Sequence, residues 1–158
     1  GEVLEAALLD MKWHALSKDE AAAIDTPEKV SAYETKSLKD LGLEIDLVPP
    51  RYRTTYFNHI FSGPSGYSAG YYSYLWTQML DRDSRAWFLQ NGGLTRANGD
   101  HYRDTVLSRG GTMDYGEMYR NFANRDPDVK YMLIALGLAD ESIDDASQTA
   151  GQPEDRGE

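Results

Sequence analysis

Four side chains in one short stretch could together bind and polarise a carbonyl group. His59 precedes the glycine-rich run Ser62-Gly63-Pro64-Ser65-Gly66, and tyrosines follow at 67, 71 and 74. A helix opening at Tyr67 would turn by about 100° per residue, bringing the three phenols within about 60° of one another. A phenol ionises near pH ~10, so at neutral pH it keeps its proton and can donate it in a hydrogen bond. Such a row beside a loop that can close suits a peptide carbonyl or a developing oxyanion. His59 could donate to the same acceptors. Spacing alone also allows a plainer reading, because an aromatic stripe on a helix is more often core packing than active site.

The elements that must hold these groups read as helices. Residues 2–16 repeat apolar side chains at Val3, Leu4, Ala7, Leu8 and Met11, the spacing of one buried face. Thr26-Pro27-Glu28 combines a capping hydroxyl, a first-turn proline and an acid, predicting a second helix to about Leu41, closed by Gly42. Pro49-Pro50 forces an extended connection. Residues 51–58 are β-branched and aromatic, and are either a short strand or an extended loop. The tyrosine helix is predicted over 67–90, with Tyr72, Leu75, Trp76 and Met79 in the core. Further helices are predicted over 96–108, from an Asp114 cap to about Phe122, and from Asp126-Pro127-Asp128 to Gly137. The expected fold is all-α, helical and bundle-like.

Composition removes several function classes. The 158 residues carry a net charge of −10, and no lysine or arginine cluster is present to engage a nucleic-acid backbone. No stretch approaches the roughly 18 apolar residues of a membrane span. Residues 139–158 hold seven acids against Arg156 alone and lack any large apolar residue after Ile143, so this acidic tail is expected to be disordered. Absence of cysteine rules out disulfides and thiolate metal sites without fixing the compartment. The chain opens Gly-Glu-Val-Leu-Glu, in helical pattern and without an initiator methionine, as a piece of a longer protein would.

Complete catalytic motifs are missing. The histidines at 14, 59 and 101 include no pair at His-Glu-x-x-His spacing. No phosphate loop occurs, and Gly63, Gly66 and Gly70 miss the dinucleotide-binding spacing. Gly63-Pro64-Ser65-Gly66 is one residue short of a nucleophile elbow. His14 and His101 are expected to be structural or at the surface. Arg51, Arg53 and Arg109 could grip a carboxylate, but pairing with nearby acids is the commoner fate.

Read in order, several runs form a pattern: Ala7-Leu8-Leu9-Asp10-Met11-Lys12-Trp13-His14, Tyr56-Phe57-Asn58-His59-Ile60, Gly66-Tyr67-Ser68-Ala69-Gly70-Tyr71-Tyr72-Ser73-Tyr74-Leu75-Trp76, Gln90-Asn91-Gly92-Gly93-Leu94-Thr95 and Leu107-Ser108-Arg109-Gly110-Gly111. Over residues 3–138 the chain resembles the C-terminal part of the thimet oligopeptidase/neurolysin zinc peptidases, nearest the bacterial peptidyl-dipeptidase branch. The Ser62–Gly66 connection is longer than the family's usual one.

The resemblance implies that residues 1–138 are the C-terminal part of a zincin-type catalytic domain. It implies a zinc cofactor in the intact enzyme, held by upstream residues, with no metal ligand in this chain. It implies catalytic roles for Tyr74, Tyr67 and His59, and substrate binding by Tyr71, His59 and Tyr67. The implied partners are a peptide substrate and the upstream part of the same domain, with self-association of the fragment as a consequence of its uncovered surface. The intact protein would release dipeptides from peptide C-termini, and the isolated chain would be inactive. A non-catalytic helical domain that binds peptides or proteins is the alternative. A cytoplasmic location is expected, with the periplasm left open.

Overall fold

A computed structural model describes residues 1–63 and 66–140. Among these residues every regular element is helical: α1 (Glu2–His14), α2 (Lys18–Ala23), α3 (Pro27–Asp40), α4 (Ser73–Gln90), α5 (Arg96–Thr105), α6 (Tyr115–Ala123) and α7 (Lys130–Ala135), with 3-10 turns at Thr54–Tyr56, Asn58–Ile60 and Leu107–Arg109. The expected disordered tail lies, from residue 141 onward, outside the described residues. No described helix is long and apolar enough to cross a membrane. The chain divides into two compact units, Gly1–Trp76 and a second from Thr77 onward.

In the first unit the core is Ala6, Ala7, Phe57, Ile60 and Tyr71, with Val3, Tyr52 and Leu75 packed against it. Two alanines on α1 allow the aromatic rings to approach its backbone closely. Helix α2 starts with a capping box in which Ser17 and Glu20 satisfy each other's backbone amides. Thr26 caps α3 by accepting from Lys29 N, as its sequence predicts. The helix ends where Gly42 takes φ +68°, letting Gly42 N bond Lys39 O and Leu43 N bond Leu38 O.

Residues 51–58 form neither a strand nor a plain extended loop. Buried Glu34 on α3 bonds the Arg53 Nε and accepts from Thr54 N at 2.6 Å, while Trp13 Nε1 donates to Thr54 Oγ1 at 2.9 Å. The Glu34 bond to Thr54 N and the turn's own bonds, Tyr56 N to Arg53 O and Phe57 N to Thr54 O, satisfy the backbone in a 3-10 turn, where a strand would have needed a partner edge.

The second unit packs Leu80, Trp87, Phe88, Tyr102 and Val106 around Tyr119, Phe122 and Ala123. Buried Asp83 holds it together: Arg125 donates to both carboxylate oxygens, and Asp128 N donates to one of them at 2.9 Å. His101 stacks on Trp87, and its Nε2 lies 2.9 Å from Phe122 O, a structural role. The last helix begins at Lys130 and not at Asp126, because Asp83 has already taken the Asp128 amide and the Asp128 carboxylate accepts from Lys130 N.

Candidate functional site: a histidine and three tyrosines

All four candidate residues lie in the first unit, and their rings form one cluster. His59 is 5.6 Å from Tyr67 and 5.7 Å from Tyr71 between ring centroids. Tyr71 and Tyr74 are 5.0 Å apart, and Tyr67 stacks on Tyr74 at 5.9 Å. The two stacked phenols are linked directly, with Tyr74 Oη donating to Tyr67 Oη at 3.2 Å.

The cluster forms, but not by the expected route. Helix α4 starts at Ser73, so Tyr67 and Tyr71 lie outside it, in a turn. Ala69 takes a left-handed backbone conformation at φ +52°, which ends any helix that might begin at Tyr67. Core assignments made on helical periodicity shift with it. Tyr72 and Trp76 are exposed, Leu75 and Met79 are partly buried, and Tyr71 is the residue that enters the core, 5% exposed.

Local backbone bonds explain the turn. Tyr67 N donates to His59 O at 2.9 Å, tying the first phenol to the histidine turn, and Ser68 Oγ donates to Ile60 O. Gly66 sits so close to this junction that an added Cβ would fall 2.7 Å from His59 O. Only glycine fits there.

One contributor escaped the sequence reading. Asp10 on α1 is fully buried and accepts from Ala69 N at 2.9 Å on one oxygen and from Tyr71 N at 2.8 Å on the other. His14, one turn along, places Nδ1 2.8 Å from the Asp10 carboxylate. The partners lie 59 and 61 residues away in sequence, beyond the reach of any local pattern.

Two of the phenols, Tyr71 and Tyr74, are harder to ionise than an ordinary tyrosine. The hydrogen bond to Tyr67, more than repulsion from neighbouring phenols, raises the Tyr74 pKa above its ordinary value. Burial raises that of Tyr71, partly offset by Arg51. Tyr67 is 41% exposed and Tyr74 47%, so both can meet a ligand, and His59 is half-buried behind them. Arg51 pairs with Glu2, Arg53 with Glu34, and Arg109 donates to Asp104 O, so each has an internal partner.

Among the described residues no group of three or more His, Cys, Asp or Glu could hold a metal ion. What the site offers is a set of hydrogen-bonding side chains on an aromatic wall. Residues 2–138 match Peptidase family M3, and the chain belongs to that family. It is 46% identical to dipeptidyl carboxypeptidase of Escherichia coli (strain K12) over 137 residues, 87% of this chain and 19% of the relative. Its identity to the dipeptidyl carboxypeptidase of Salmonella typhimurium is also 46%, with the same coverage. Saccharolysin of Saccharomyces cerevisiae is 40% identical over 82 residues, 52% of this chain and 11% of that protein. The chain thus spans about a fifth of the length of the dipeptidyl carboxypeptidases it matches.

Proposed function

We propose that this chain is one portion of a zinc metallopeptidase that releases dipeptides from peptide C-termini, and that it supplies donors to the peptide under attack. Support comes from the linked pair of exposed phenols in a chain whose dipeptidyl carboxypeptidase relatives match 87% of its length. The phenol and imidazole donors described here do not fit a metal; zinc would be held by residues outside this chain, as the family resemblance implies, and would supply activation of the attacking water.

The roles of the chain's own residues follow from hydrogen-bond capacity. Each phenol has one proton to give. Within the pair Tyr74 gives its proton to Tyr67, which leaves the Tyr67 proton for a carbonyl oxygen in front of it. When that oxygen gains negative charge its bond strengthens, so the pair favours the tetrahedral state over the planar peptide. His59 supplies a further polar edge beside Tyr67. Tyr71, with its ring in the core, acts as the floor against which Tyr74 is set, and contact with peptide falls mainly to Tyr67 and Tyr74.

The test is Y74F in the full-length protein carrying this segment. Without the Tyr74 proton the Tyr67 hydroxyl loses the bond that orients it toward the oxyanion, which should lower kcat by about 10²–10³ and leave KM nearly unchanged. A fall smaller than about threefold removes Tyr74 from the mechanism. The isolated chain, given zinc and a blocked oligopeptide, should show no turnover; hydrolysis by it alone would overturn the division of labour proposed.

A further inference from the structure

We propose that Asp10 is a positioning residue for the phenol pair, acting through the turn before α4, an inference that rests on the function proposed above. Tyr67 and Tyr74 are seven residues apart, and in a continuous helix their Cα atoms would be separated by roughly 10 Å along the axis. Stacked rings with hydroxyls 3.2 Å apart need the chain to fold back between them. The fold-back occurs at Ala69, an alanine held in a left-handed conformation that its Cβ disfavours.

The Asp10 carboxylate compensates for that strain. Two amides of the turn, Ala69 N and Tyr71 N, converge on its two oxygens, one on each. Converging backbone N–H groups around a left-handed residue make a concave anion site, and bonds to a charged acceptor are roughly twice as strong as neutral ones. His14 Nδ1, one helix turn along, lies 2.8 Å from one carboxylate oxygen and 2.9 Å from the Asp10 backbone oxygen, so its ring packs against this acid. Asp10 is fully buried, and its contacts are with the turn backbone and not with the phenols, so its influence on chemistry passes through their placement.

D10N keeps the shape but leaves only one acceptor oxygen, so an NH2 group must face one of the two amides. In the full-length protein it should lower kcat by about tenfold or more with KM within about threefold, because a displaced phenol loses donor geometry before it loses substrate contact. The deciding measurement is a double-mutant cycle with Y74F. If Asp10 acts through the phenols, D10N should cost less than about twofold in the Y74F background. Multiplicative losses would show a general structural role and overturn the proposal while leaving the function intact. A near-silent Y74F would instead overturn the function itself. Should D10N fail to fold, H14A runs the same cycle with a smaller expected loss of about threefold, and equal losses in both backgrounds again overturn the proposal.

Discussion

Tyr74, on the first turn of a helix, donates its hydroxyl to Tyr67, which lies outside that helix in the preceding turn. The bond links the two hydroxyls directly. Tyr74 is harder to ionise than an ordinary tyrosine because ionisation would give up the proton shared with Tyr67.

A pH dependence follows from this coupling. The donor form is the protonated one, so activity should be present below the folded-state pKa and fall as pH rises through it. Because the Tyr74 pKa is raised, the alkaline limb of the kcat profile assigned to Tyr74 should lie above the ordinary phenol value of about 10. In Y67F the first cause of the shift is gone, and the limb should move down toward about 10. The Y67F/Y74F double variant should be little worse than the more damaging single variant, since the residues act as a unit.

Backbone substitutions on either side of Tyr67 should have opposite effects on stability. G66A drives a Cβ into His59 O at 2.7 Å, so the turn must shift, and a loss of about 1–3 kcal/mol is expected. A69G relieves a left-handed alanine and should be neutral or stabilising by up to about 1 kcal/mol. Urea midpoints at constant slope would measure both. Equal destabilisation by the two changes would contradict the strain argument.

Local chemistry in the sequence was sufficient to place several elements. Thr26-Pro27 and Asp114 start α3 and α6 as their types demand, whereas α2, opened by the Ser17 and Glu20 box, was missed because hydrophobic periodicity passes over so short a helix. The tyrosine cluster was also legible, but through a helix that does not exist before Ser73. What competed with periodicity was a carboxylate about 60 residues distant, and the same holds for Glu34 and the 3-10 turn at Thr54. Buried acids that bind remote backbone amides leave no periodic trace. They decide where the functional turns lie.

Glu5 is a different case. It is fully buried on α1, and both carboxylate oxygens lack a hydrogen-bond partner. Burial raises its pKa, opposed by the amino terminus and reinforced by Glu2. The folded chain therefore holds the Glu5 proton more tightly than the unfolded chain does. Stability should fall as pH rises from the unfolded value, about 4.5, through the raised one. E5Q should abolish that dependence and stabilise the chain by about 1 kcal/mol at pH ~7, where the wild type must bury a charge or a bound proton. Thermal melts of both proteins across acid and neutral pH would check it; a difference that vanishes at neutral pH and appears only in acid would refute the assignment.

Asp83 offers the sharpest stability test, because Arg125 and the Asp128 amide both bond it within the second unit. The carboxylate has no exposure, while Arg125 and the Asp128 amide supply three donors to it. D83A leaves the Asp128 amide without this acceptor and the Arg125 guanidinium, a third exposed, with the Asp126 backbone oxygen in place of a carboxylate. Removing one member of a buried pair typically costs about 3–5 kcal/mol, and D83A should fall in that range. R125M alone strands the carboxylate and should be comparably harmful, yet the double change D83L/R125M should recover much of the loss, since both charges go together. Denaturant titrations of the three variants would decide it. Additive losses would mean that the pair contributes through packing alone, and that the Asp128 amide carries little of the restraint on the start of α7.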